Sequence, residues 1–69
     1  MANIQVDYIE HEDEPAVRAG HTLVLHHETG TIQVWIEDGV YQYEDDCNGY
    51  REVYTDWDKL VTDIAEGDV

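Results

Sequence analysis

The 69-residue chain predicts an α+β fold: an antiparallel β-meander of four to five strands with one C-terminal amphipathic helix packed on one face. Three observations carry that expectation. Between Thr22 and Tyr54, runs rich in Val, Ile, Thr, Tyr and Trp are separated by Thr29-Gly30, Asp38-Gly39 and Asn48-Gly49, pairs that supply positive φ in hairpin turns. The hairpins closed at those turns agree on a single apolar face. After Tyr54 the hydrophobic period changes from two to 3.6.

The agreement between hairpins is a real test, because a slip of one residue moves every side chain to the other face. Closing at Thr29-Gly30 pairs His27 with Ile32, Leu25 with Val34 and Leu23 with Ile36. Closing at Asp38-Gly39 pairs Ile36 with Tyr41 and Val34 with Tyr43, and closing at Asn48-Gly49 pairs Tyr43 with Tyr54. One face then carries Leu23, Leu25, Ile32, Val34, Ile36, Tyr41, Tyr43 and Tyr54. The other carries Val24, His26, Gln33, Trp35, Gln42, Glu44 and Val53 and is mostly wet.

Ahead of the meander, residues 3–9 alternate and predict a first strand, at an edge or closing the sheet, with Ile4, Val6 and Tyr8 on one face. Residues 10–21 hold four acids, the only proline and no periodicity. They read as one long loop, either a solvated connector across an end of the sheet or a mobile anionic contact loop.

In the segment from Thr55 to Gly67, Trp57, Leu60, Val61, Ile64 and Ala65 form a single helix stripe. Thr55 is the expected N-cap, Asp58 stands near the capping-box position, and Gly67 suits C′. The stripe needs an apolar surface, and the sheet face is the one available, so Trp57, Leu60 and Ile64 should pack against Val34, Ile36 and Tyr43. A two-layer fold follows; the alternative is a small curled barrel capped by the helix. At this length residues 1–69 make a single acidic domain, with only ~60% of the unfolded chain's surface buried.

Chemistry-bearing patterns are few. His26 and His27 are neighbours in a strand and point to opposite faces, so they cannot chelate together. No HExxH, paired CxxC, EF-hand loop or Gly-rich phosphate loop is present. A metal site from His11, His21 and nearby carboxylates is the remaining metal reading and is not the favoured one. Cys47 lies by a predicted turn with no Cys-His-Asn/Asp pattern around it, and a lone cysteine makes no internal disulfide. The expectation is no enzyme, no cofactor and no bound metal. No apolar stretch approaches the ~20 residues of a membrane span, and the start, MANIQVDYIE, has no secretory pattern, so the chain reads as cytoplasmic.

Charge is the dominant feature. Seventeen acids against three bases give a net −14, with −5 over residues 1–35 and −9 over residues 36–69, so acid runs through the fold. Self-repulsion of this kind destabilises a compact state. It also excludes direct nucleic-acid binding, since phosphate contacts need Lys and Arg. One reading is a non-enzymatic inhibitor that mimics nucleic-acid phosphates and occupies the groove of a basic, nucleic-acid-binding partner. Carboxylates at i and i+2 on a strand stand ~6.6 Å apart, close to the phosphate spacing along one strand.

Candidate contacts are Glu12, Asp13 and Glu14 on the long loop, and Glu37, Asp38, Glu44, Asp45 and Asp46 at the hairpin ends. Asp56, Asp63 and Glu66 on the helix complete the acidic set, and they cannot all face one partner. Trp35 on the wetter face is covered, exposed as a partner anchor, or a homodimer contact. In size and charge alone the chain resembles the small acidic phage proteins that block restriction, repair or CRISPR enzymes. The alternative reading is a small housekeeping or viral domain of a halophile, whose acidity is salt adaptation.

Overall fold

The computed structural model of the chain describes residues 3–28, 30–46 and 49–66. Its strands are β1 (Asn3–Val6), β2 (Thr22–His27), β3 (Gly30–Glu37), β4 (Val40–Asp45) and β5 (Tyr50–Tyr54), joined edge to edge in that order. A short helix, α1 (Glu14–Arg18), lies between β1 and β2, and the C-terminal helix α2 spans Trp57–Glu66. The sheet is open and mostly antiparallel, with one helix-bearing layer, and no barrel forms among the described residues.

Side-chain alternation sets the layers. Leu23, Leu25, Ile32, Val34, Tyr41, Tyr43 and Tyr54 are buried on one face, joined by Ile9, Val17, Trp57, Leu60 and Val61 from the covering layer. Ile4, Val6, Ile36 and Ile64 pack at its margin, partly buried. The predicted apolar face is therefore the covered face.

Two of the three predicted registers are shifted. The central hairpin pairs Val34 with Tyr43 and Ile36 with Tyr41 as expected. Its turn residues Asp38 and Gly39 both take positive φ, 55° and 81°, as a two-residue primed turn requires. In the first hairpin, however, Leu25 pairs with Ile32, Leu23 with Val34 and His27 with Gly30, which makes Gly30 the first strand residue and not part of the turn. In the third, Tyr54 pairs with Tyr41 and Tyr43 with Glu52, leaving the four-residue connection 46–49. Both shifts are by two residues, so every side chain keeps its face. Thr29, Cys47, Asn48 and Gly67 lie outside the described residues.

Three further expectations are corrected. β1 ends at Val6 and runs parallel to β2, so Tyr8 is off the strand and 65% exposed while Ile9 takes the buried place. Parallel neighbours need a crossover of a dozen or more residues, and that requirement is what residues 7–21 meet. They are not an irregular loop. A 3₁₀ turn over His11–Asp13 leads into α1, which has Pro15 in its first turn and ends ahead of Gly20, whose φ is 104°. There the amides of Gly20 and His21 donate to the carbonyls of Val17 (3.0 Å) and Ala16 (3.1 Å), the two bonds of a Schellman ending. Val17 is fully buried and pins the crossover to the covered face. A five-residue helix is too short to show a period, which hid it from pattern reading.

In α2 the N-cap is Asp56, not Thr55: its Oδ1 accepts the amide of Asp58 at 3.0 Å. Trp57, Leu60 and Val61 are buried, Ile64 only half so, and Ala65 is exposed, so the apolar stripe fades toward the C-terminal turn. Trp57 rests on Tyr41, ring centroids 5.1 Å apart. Its indole N–H donates to the carbonyls of Glu10 (3.2 Å) and His11 (3.0 Å), which ties the crossover to the helix. Among the described residues no helix is long and apolar enough to cross a membrane.

Candidate functional site

The acidic residues named from sequence divide by what their carboxylates already do. Glu14 accepts the Tyr41 hydroxyl and the Arg18 Nε, the latter at 3.2 Å. Asp13 accepts the amide of Glu10 at 2.9 Å. Asp63 accepts the Tyr54 hydroxyl at 2.9 Å and the Lys59 Nζ at 3.2 Å. The tyrosine bond, followed by the lysine, holds the Asp63 carboxyl below its ordinary range despite opposing desolvation. Far from being a bare helix acid, Asp63 joins α2 to β5. Glu44 lies 3.7 Å from the Arg51 Nε on the uncovered face of the sheet. Asp45 shares its parity with Tyr41 and Tyr43, faces the covered side and is 5% exposed, so it is no contact for a docked partner.

Exposed acids remain at Glu12, Glu37, Asp38, Asp46, Asp56 and Glu66. The topology brings some of them together. Glu37 pairs with Val40 and Tyr41 with Tyr54, so the β3–β4 turn and the exit of β5 into α2 lie at one end of the sheet. Trp57 and its two carbonyl partners bring the 3₁₀ turn to the same place, where His11 Nδ1 meets Asp58 Oδ1 at 2.9 Å. Glu37 and Asp38, Glu10 and Glu12, and Asp56 and Asp58 thus converge from three separate segments. The Glu10 carboxyl is raised above its ordinary value, first because Glu12 shares a hydrogen bond with it, and further by burial and the charges of Glu12 and Asp13. That crowding lies within the 3₁₀ turn and the residue before it.

Sequence reasoning missed Glu10 and Asp58. Asp58 was read only as a capping residue, and nothing in its spacing announces a neighbour 47 positions away. Asp46 stands at the opposite end of the sheet, and Glu66 closes the ten-residue α2 about 15 Å from its start. The three bases answer other acids: Arg18 is on Glu14, Lys59 on Asp63 and Arg51 near Glu44. Trp35 is half-buried on the uncovered face, with the Arg51 guanidinium 5.6 Å from its ring centre.

An open cleft of about 420 Å³ separates β5 from α2, walled by Tyr50, Glu52, Tyr54, Asp56, Lys59 and Asp63. The Tyr50 hydroxyl donates to Glu52 at 2.6 Å, as Tyr54 donates to Asp63. Both phenols titrate above their ordinary value, Tyr50 chiefly through that hydrogen bond and Tyr54 chiefly through burial. Neither supplies a phenolate at neutral pH. As for the histidines, His11 is on Asp58 and His21 precedes β2 at the far end of the crossover. Among the described residues no group of three or more His, Cys, Asp or Glu could hold a metal ion.

Fold and surface together define a small, strongly acidic, two-layer α+β protein. Compared with known proteins, no family model matches the chain, and no curated protein or solved structure is significantly similar to it.

Proposed function

We propose that this chain is a small non-enzymatic binding protein whose acidic end takes the place of nucleic-acid phosphates in the groove of a basic, nucleic-acid-binding partner, as inhibitors of the phage or mobile-element type do. The observation that carries this reading is the convergence of six carboxylate residues from three segments at one end of the sheet, while the bases nearest to them, Arg18 and Lys59, are already paired with Glu14 and Asp63. Opposite fields steer such a complex together quickly and are screened by salt.

The test uses charge reversal at positions that leave the fold alone. Glu12→Lys with Glu37→Lys should weaken binding to the recovered partner by about tenfold or more, as expected when charge complementarity is lost at an interface. Asp46→Lys, at the other end, should leave it within a factor of about two, since distant rim charges are screened beyond a Debye length. Double-stranded DNA should compete. A partner that is neither basic nor displaced by DNA sinks the proposal.

Asp46 and Glu66 lie away from that end and would not meet the same partner, and this favours a second reading, in which acidity is salt adaptation. A thermal melt from about 0.05 M to molar KCl separates the two, because the Debye length falls from over 10 Å to ~3 Å over that range. A mimic from an ordinary cytoplasm is folded near the low end. A halophilic domain is largely unfolded there.

A further inference from the structure

The uncovered face of the sheet carries little charge across its middle. Across all five strands its two central rows read Asn3, Thr22, Trp35, Gln42, Val53 and Gln5, Val24, Gln33, Glu44, Arg51. Those ten positions hold one acid and one base, adjacent to each other, and sum to zero in a chain of −14. Val53 is 54% exposed and shares a row with Trp35, Gln42 lying between them, and the Arg51 guanidinium stands 5.6 Å from the Trp35 ring centre. Of these ten positions Val24 on β2 is buried and the other nine are half-buried or exposed, in keeping with a mostly wet face.

We propose that this face docks a second copy of the chain as a two-fold dimer. Two copies of a −14 protein repel over any pair of acidic surfaces, and unlike charges must be opposed, or charge absent, where they meet. The neutral rows meet that condition. They are also self-complementary: a two-fold axis through the face lets Arg51 of each copy approach Glu44 of the other, with Trp35 and Val53 as apolar anchors around the axis. Isologous interfaces require such matching of a patch with itself. Aromatics and Arg are the residue types that carry interface energy. Salt should act with the opposite sign to partner binding at the acidic end, since it screens the repulsion between copies while leaving the apolar contact intact.

Sedimentation equilibrium of the full chain tests this at about 0.1 M and about 1 M KCl, salt levels between which the Debye length falls to ~3 Å. A monomer–dimer equilibrium should tighten by about tenfold or more at the higher salt, the direction that screening of like charges dictates. Val53→Asp, at an exposed position that leaves the melt unchanged, should weaken it by a similar factor. Glu44→Arg and Arg51→Glu should each be monomeric alone and dimerise when mixed, because only the mixture matches Arg with Glu at both contacts. Glu12→Lys, on the crossover and off this face, should leave the dimer intact, which keeps this test separate from that of the acidic end.

A wild-type chain that stays monomeric at both salts overturns the proposal. So does a mixture of the two charge variants that fails to pair, or a dimer that Val53→Asp leaves unchanged. If the chain is monomeric and Val53→Asp instead abolishes binding of the basic partner, the face belongs to that partner.

Discussion

Trp57 and Trp35 lie on opposite sides of one sheet, and the contrast between them separates the two jobs its faces do. Trp57 is enclosed by the crossover and α2, with its ring on Tyr41 and its N–H on two backbone carbonyls. Among the described residues Trp35 has no helix above it; Arg51 from β5 supplies the cation over its ring. On the covered face, burial of large apolar groups holds the fold, and the acids of that layer lie at its rim. On the uncovered face, uncharged amides and hydroxyls flank a tryptophan and two valines, and the central rows hold one acid, Glu44, beside Arg51. An acidic protein of this size can keep a core only if its charge is pushed outward from one face. It can approach another copy of itself only where the charge is absent.

The sharpest way to break the comparison is to remove each tryptophan. Trp57→Ala deletes a buried aromatic and orphans the carbonyls of Glu10 and His11 from their donor, so it should cost ~3–5 kcal/mol. For so small a domain that is most of the stability, which lies near the bottom of the ~5–15 kcal/mol range. The variant should show no cooperative melt by circular dichroism. A melt within a few degrees of wild type would mean that the covering layer is not held where the structure puts it.

A second probe is alkaline pH, which reaches the buried phenols of the covered face. Tyr43 is fully buried, and burial, followed by the charges of Asp45 and Tyr50, pushes its phenol up to about 12. Tyr54 is raised further, first by burial and then by its bond to Asp63. A folded-state value above the unfolded one means stability that is complete below about pH 10 and is lost as pH rises through 12. Two pH units correspond to roughly 3 kcal/mol, taken as an order of magnitude. Denaturant midpoints should therefore hold level up to about pH 10 and fall beyond it, with Tyr43→Phe flattening the fall. A midpoint that does not change between pH 9 and 12 would place these phenols in water.

How far the sequence could be read follows the same division. The covered face was legible because alternation is a period-two signal that survives a register error of two residues, as it did for Leu25 with Ile32 and Tyr54 with Tyr41. The central turn was legible because Asp38-Gly39 is the pair that a primed turn demands. The parallel edge strand was not: four residues of β1 carry no mark of direction, and only the length of the crossover hints at it. α1 was missed for want of a period, although Pro15 near its start and Gly20 past its end are helix punctuation that could have found it. Of the acidic positions, Asp45 and Asp63 carry no local mark that separates them from surface charge, because composition says nothing about which carboxylate is buried and which bridges to a hydroxyl on another element. The convergence of Glu10, Glu12, Asp56 and Asp58 depends on a tertiary contact through Trp57, beyond the reach of any local pattern.

The smallest expected effect sharpens the comparison from the other side. Trp35→Ala removes a half-buried ring from an uncovered face, so no sealed cavity results and the cost should stay near 1 kcal/mol, the middle of the range for single substitutions. Arg51 loses the ring beneath it, a contact of ~0.5–1 kcal/mol at an exposed site, and that accounts for most of the change. The melt should shift by several degrees and stay cooperative. Fluorescence offers an independent reading on the native chain: acrylamide, being neutral, is not repelled by the −14 charge, and it should quench Trp35 while leaving Trp57 shielded. Quenching should fall as protein concentration and salt are raised if a second copy closes over Trp35. In Trp35→Ala the remaining emission should be insensitive to acrylamide at every concentration. Equal quenching of both tryptophans would show that the two faces are equally wet and would end the distinction drawn between them.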